Sequence, residues 1–223
     1  MNDRYDSAIK FYLLATKLKY KLRSGWDSSH WNINSDRLES IAEHVYGTLI
    51  LAISLDSALV LENELESQIN FDKVLKMLVI HEIGEVLIGD ITPFDNITPL
   101  EKKEMEHKAV IEVVGDLFKK EELISIMFEF DERKTPEAKF AYYCDKMEAD
   151  IQAKVYQDNG LQRPLSDQEN NVVFNNSKVQ KMVESGASTA FDIWYEWDKH
   201  IFEENNMFKT LHKRIKEKDT NMI

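Results

Sequence analysis

An all-α fold is what this sequence predicts, and three observations carry that expectation. Apolar residues recur at helical spacing along most of the chain. Pro and Gly are scarce, 4 and 7 in 223 residues, so few points interrupt a helix. No segment alternates apolar and polar residues as a half-buried strand does.

The elements follow in chain order. Ile9, Tyr12, Leu13 and Thr16 form one stripe of a first helix over about Tyr5 to Leu22. A polar, Trp-containing connection runs from Arg23 to Asn34. Ser35 is the expected cap of a second helix, in which Leu38, Ile41, Ala42, Val45, Leu49, Ala52 and Ile53 keep the helical period. In a third, Asp72, Lys73 and Lys76 share the solvent arc, while Phe71, Val74, Leu75 and Leu78 lie opposite and face the core. This helix is expected to continue through His81 and end near Gly89. Thr98-Pro99-Leu100-Glu101 is a capping box with Pro at the first helical position, and opens a fourth. A fifth spans about Glu121 to Asp131. Thr135-Pro136 starts a sixth, reaching about Gln157, where Asp158-Asn159-Gly160 and then Pro164 break it. The remaining chain reads as further helices, with Ser188 as the expected cap before Phe191 to Trp197.

Composition narrows the function classes. A chain of this length buries one good core, or one core and a small addition, so residues 1–223 are expected to form a single domain. No apolar run approaches the ~18 residues of a membrane-spanning helix. The start, Met1 to Asp6, lacks the basic and apolar segments of a secretory signal. Cys144 is the sole cysteine, which excludes an internal disulfide and suits a reducing cytoplasm. With no basic group fixed beside it by sequence, Cys144 is expected to be buried rather than reactive. The net charge of −12 excludes a general nucleic-acid binder. A small anionic substrate remains compatible, since one Arg and a metal supply local positive charge.

Chemistry concentrates in the third helix. His81, Glu82 and Glu85 fall on its core arc, and inward-facing carboxylates and imidazoles are costly unless paired or bound to a metal. His44 aligns with Thr48, Leu51 and Leu55 beside the apolar stripe of the second helix. Asp145 aligns with Ala138, Ala141, Tyr142, Ala149 and Gln152 on the sixth. Imidazole and carboxylate donors together suit one divalent transition ion: Zn, Mn, Fe, Co or Ni. Helices distant in sequence can gather His44, His81, Glu82 and Asp145 around such an ion, leaving an open position for water. Other polar residues carry less. The Glu-x-x-His of Glu104 to His107 has no second copy, as a di-iron site needs, and reads as surface charge. The His81-Glu82 pair lacks the second His of a zincin motif, because position 85 is Glu. Glu196 and His200 read as structural, and His30 and His212 carry no signal.

The ordered set His44, His81-Glu82, Asp145 resembles the HD-domain metal phosphohydrolases, whose pattern is His, His-Asp, Asp. Three further segments resemble the branch that acts as 5'-nucleotidases on deoxyribonucleoside monophosphates. These are Arg23-Ser24-Gly25-Trp26, Glu39 to His44, and His81-Glu82-Ile83-Gly84-Glu85 running on to Asp90. Thr135 to Lys139 and Asp145 to Glu148 resemble the later segment that carries the last Asp. The resemblance covers about residues 15–157; the stretch 158–223 reads as a C-terminal helical extension. One departure is plain: Glu82 stands where the family has Asp, with the same charge on a side chain one methylene longer.

The resemblance implies an HD-type helical bundle around a buried metal, a homodimer, and hydrolysis of a phosphate monoester. It implies metal ligation by His44, His81, Glu82 and Asp145, orientation of the attacking water by Glu85, and proton exchange at Asp90. Arg23 is then expected to grip the phosphate, and Trp26 to pack on the sugar or base. Two alternatives stand beside this reading: an HD phosphohydrolase for another nucleotide class, and a nucleotide sensor that has lost turnover through Glu82.

Overall fold

The computed structural model describes residues 4–59 and 69–222. Among them secondary structure is helical, apart from one isolated antiparallel bridge between Leu22 and Ser40. The α-helices are α1 (Arg4–Ala15), α2 (Ile41–Leu59), α3 (Phe71–Ile80), α4 (Glu85–Ile88), α5 (Pro99–Val114), α6 (Lys120–Glu132), α7 (Pro136–Asp158), α8 (Ser177–Glu184), α9 (Ala190–Phe202) and α10 (Asn206–Glu217). The chain divides into two compact units, the first from Met1–Leu22 and Ser40–Cys144, the second from Arg23–Glu39 and Asp145–Ile223. Helix α7 is shared between them, with Cys144 ending the first share.

In the first unit α2 packs on α3, α3 and α5 pack on α6, and α4 packs on α5. The interior is aliphatic: Val74, Met77, Leu78, Val110, Ala138 and Cys144 are all but fully enclosed. Burial of each larger side chain contributes about 1.5–3 kcal/mol. The expected wet face of α3 is right for Asp72 and Lys76; Lys73 is half-buried and reaches Glu129 at 2.6 Å. Cys144 is buried, as its lack of a fixed basic neighbour suggested.

Local chemistry explains where the elements start. The box at Thr98 forms as expected: Thr98 Oγ1 accepts from Glu101 N, and Glu101 returns to Thr98 N. Ser35 does not cap α2. Its hydroxyl bonds the Arg37 backbone in a local turn, and Ser40 takes the cap with Glu43 as its box partner. The cap of α9 is Thr189, boxed with Asp192, one residue beyond Ser188. The first expected helix is also shorter, because α1 tightens into a 3-10 turn over Thr16–Tyr20.

The second unit packs α9 against α8 and α10. Its core is aromatic, with Trp26, Trp31, Phe191, Phe202 and Phe208 enclosed. His212, which carried no signal in the sequence, is buried here. Its ring stacks on Tyr195 at 4.0 Å, and its Nε2 lies 3.0 Å from Asp150 Oδ2. Burial pushes its pKa down to about 4. Asp198 is buried nearby. Burial first, and then the charge of Asp145, push its carboxyl up to about 6, although Lys146 opposes the rise.

A stability prediction follows from Asp198. Its folded-state pKa exceeds the ordinary 3.8, so the folded state binds the extra proton between about pH 4 and 6 and holds a costly buried charge above that range. Asp198→Asn is therefore expected to gain on the order of 1–3 kcal/mol over wild type at pH 7.5. The gain should shrink toward zero as pH falls through 6 to 4. Thermal melts across that range check it, and a gain that grows at low pH would contradict it.

Candidate metal centre

The first turn of α2 sets His44. The Ser40–Glu43 box fixes where the helix begins, and His44 N donates to Ser40 O at 3.1 Å. The imidazole is enclosed, with no exposed surface.

His81 and Glu82 sit where the expected continuous helix breaks. α3 stops at Ile80, residues 81–84 form a tight turn, and α4 starts at Glu85. The turn closes with short-range bonds, Ile83 N to Ile80 O and Glu85 N to Glu82 O, both 3.0 Å. The backbone stays right-handed helical through it, with φ −59° and ψ −31° at His81 and φ −63° and ψ −31° at Gly84, so the turn is a local tightening of the helix. Gly84 lets it lie close on α5: a Cβ there would stand 3.3 Å from Glu106 O and 3.4 Å from Val110 Cγ2.

The result is a convergent donor set. His81 Nδ1 donates to Leu78 O at 2.7 Å, which leaves the Nε2 lone pair for another partner. That Nε2 lies 3.4 Å from His44 Nε2 and 3.4 Å from Glu82 Oε1; Glu82 Oε1 is 3.7 Å from His44 Nε2. Donors each ~2.1 Å from one ion are roughly 3.0–3.4 Å apart at octahedral or tetrahedral angles. Two of the three separations lie at the upper end of that range and the third, 3.7 Å, lies just beyond it, close to what a divalent transition ion needs. The extra methylene of Glu82 does not prevent its carboxylate from reaching the imidazoles. Phe130 packs beside His81, with ring centroids 5.4 Å apart, and gives the centre an apolar wall.

The other expected site residues fall as follows. Asp145 is buried and follows Cys144 directly in the unbroken helix α7. Its carboxylate lies 3.0 Å from Lys146 Nζ. Glu85 is buried as the first residue of α4. Asp90 is half-buried just past Gly89, whose φ of 81° turns the chain out of α4. Arg23 is half-buried in the second unit, its N–H bonded to Glu39 O at 3.0 Å. Trp26 is 1% exposed. Its indole N–H donates to Glu39 Oε2 at 2.8 Å, and its ring meets Tyr156 edge-on and Trp194 at 4.9 Å. These contacts hold the Arg23 loop to Glu39, Tyr156 and Trp194.

Sequence reasoning missed a polar layer on α5 and α6. The Glu104–His107 segment is not uniformly surface charge. His107 is half-buried, stacks on Phe128 at 3.9 Å and bonds Asp131 Oδ2 at 2.6 Å. Burial pushes the Asp131 and Glu106 carboxyls up; the His107 bond opposes this at Asp131, and the Lys102 charge at Glu106. A helical wheel gives the half-buried flank of α5 no apolar marker, so the signal was weak.

A helical fold carrying a His/His/carboxylate centre of this kind defines a class. The chain belongs to the HD-domain family, whose model matches residues 15–188, beyond the expected limit near 157. It is 32% identical over 151 residues to the 5'-deoxynucleotidase HDDC2 of Dictyostelium discoideum, covering 67% of this chain and 77% of that one. It is 31% identical over 157 residues to the 5'-deoxynucleotidase hdd1 of Schizosaccharomyces pombe, covering 68% and 73%. Among solved structures, a conserved hypothetical protein from Pyrococcus furiosus matches with a TM-score of 0.66 at 23% identity, covering 94% of this chain and 97% of that one. A predicted metal-dependent phosphohydrolase from Magnetospirillum magnetotacticum matches with a TM-score of 0.62 at 19% identity, covering 98% and 93%. These two similarities concern the fold.

Proposed function

We propose that this protein is a metal-dependent phosphomonoesterase, a 5'-nucleotidase acting on deoxyribonucleoside 5'-monophosphates. The observation that carries the reading is the convergence of His44 Nε2, His81 Nε2 and Glu82 Oε1 at 3.4–3.7 Å. The relatives named 5'-deoxynucleotidase supply the substrate class.

In this reading His44, His81, Glu82 and Asp145 hold one divalent ion, of Mn, Co, Zn, Fe or Ni. When bound, it supplies Lewis acidity to the phosphate and to the attacking water. The protein residues do the rest. Glu85 orients the water from the start of α4. The Asp90 carboxylate takes a proton from that water and returns one to the leaving 5'-oxygen. Arg23 presents its planar fork to the phosphate oxygens, on a loop that Trp26 pins through Glu39. Glu82 preserves the charge of the family's Asp, which favours an active enzyme over a sensor.

Residues 1–223 are read as one domain, because the two units interleave along the chain. Among the described residues no helix is long and apolar enough to cross a membrane, which is compatible with a cytoplasmic enzyme. A homodimer is supported by α1. It buries none of its residues within the chain, and Ile9, Tyr12 and Leu13 are each more than half exposed.

The test is phosphate release from a panel of deoxy- and ribonucleoside mono-, di- and triphosphates and cyclic nucleotides, with each of the five metals. Release confined to the deoxyribonucleoside 5'-monophosphates supports the reading. Preference for a triphosphate or cyclic nucleotide would move the enzyme to another nucleotide class. Tight binding without release under every metal would make it a sensor.

A further inference from the structure

Helix α5 touches two segments that the proposed reaction uses. Beneath the metal turn, Gly84 lies against the α5 backbone at Glu106. At the other end, Lys102, in the first turn of α5, donates from Nζ to Ile91 O at 2.7 Å. Ile91 is the neighbour of Asp90. The same ammonium lies 3.5 Å from Glu106 Oε1, one turn along the helix. One lysine thus ties the Asp90 loop to the stretch of α5 on which the metal turn rests.

The loop has a use for such a tie. It leaves α4 through Gly89, a residue with wide backbone freedom. Its local bonds shape it: Thr92 N and Oγ1 donate to Asp95 Oδ2 at 2.6 and 2.9 Å, and Phe94 N donates to Thr92 Oγ1. Those bonds join residues within three positions of each other. The Lys102 bond comes from another helix, and so ties the loop to α5 at the residue beside Asp90. The capping box at Thr98 in turn fixes the start of α5, and so the point from which Lys102 reaches.

We infer that Lys102 is a positioning residue for Asp90, holding the proton-transfer carboxylate in register with the metal turn through the Ile91 carbonyl and Glu106. The inference rests on the proposed role of Asp90. Lys102 touches neither metal nor substrate in this account, so its effect belongs to turnover. Misplacing a reacting group by about 1 Å costs on the order of a hundredfold in rate. Lys102→Met keeps the stem and removes the donor.

The experiment compares Lys102→Met, Lys102→Arg, Asp90→Asn and the double variant Lys102→Met/Asp90→Asn on a deoxyribonucleoside 5'-monophosphate. Metal content and amide exchange of the peptide over 89–97 in metal-free protein are measured alongside. Lys102→Met is expected to lower kcat about ten- to hundredfold with KM and metal content unchanged. Exchange in 89–97 should quicken, and Lys102→Arg should restore most of both. In the Asp90→Asn background the same substitution should cost little further, because it acts through the group already removed. Unchanged exchange, an unchanged kcat in Lys102→Met, or full additivity in the double variant would each overturn the inference. If Asp90→Asn itself turns over normally, the reading of Asp90 fails and the inference falls with it. If Asp90→Asn is slow but Lys102→Met is not, only the inference falls.

Discussion

His81→Ala is expected to leave a folded protein that no longer holds its metal. His81 Nε2 stands 3.4 Å from both of its neighbouring donors, so its loss opens the set at the centre. Removing a mere supporting residue of a metal site costs about 10–100-fold in affinity, and removing a ligand costs more. Occupancy after reloading and dialysis should fall to background, and phosphate release should fall with it. Glu82→Gln separates charge from shape. It keeps the side chain's length and removes one negative charge, so affinity should drop by less than in His81→Ala. Glu82→Asp restores the residue that the family pattern has there, and should retain metal. Elemental analysis with isothermal titration reads all three. Wild-type affinity in Glu82→Gln would mean that its carboxylate is no ligand, despite its distances of 3.4 and 3.7 Å from the imidazoles.

Asp90→Asn should show a different signature. General acid–base catalysis contributes about 10²–10⁴-fold, and the amide cannot exchange the proton. Turnover is expected to fall by that order, with metal content and KM near wild type. The contrast with His81→Ala is the informative part: one variant loses the ion, the other keeps it and loses the reaction. An Asp90→Asn enzyme with normal turnover would move proton transfer to another group.

Much of this was legible in the sequence because the signals are local. Thr98 with Glu101, and Pro136 after Thr135, announce helices α5 and α7 through side chains that bond their own backbone or suit its first turn. Apolar spacing gave α3 its buried face at Val74 and Leu78. It also showed that His44, His81 and Glu82 point inward, which is the core of the candidate centre. What stayed hidden depends on contacts between distant residues. Ser35 and Ser40 are alike as caps until the partner Glu43 and the local turn at Arg37 decide between them. The break after Ile80, and the close approach of Gly84 to α5, are recorded by no wheel. His212 looks isolated until α10 lays it beside Asp150, 62 positions earlier in the chain. Lys102 reads as one charge among several, because its acceptor is a backbone carbonyl and carries no sequence mark.

The proposed function has an ion in the His44, His81 and Glu82 set drive phosphomonoester hydrolysis. The direct measurement is a metal titration of chelator-stripped protein, with phosphate release from a deoxyribonucleoside 5'-monophosphate as the readout. Release should be absent from the stripped protein and rise in proportion to added metal, with a break at one ion per chain. The same titration on His81→Ala should stay flat. Release that survives stripping, or that rises equally in His81→Ala, would contradict the claim.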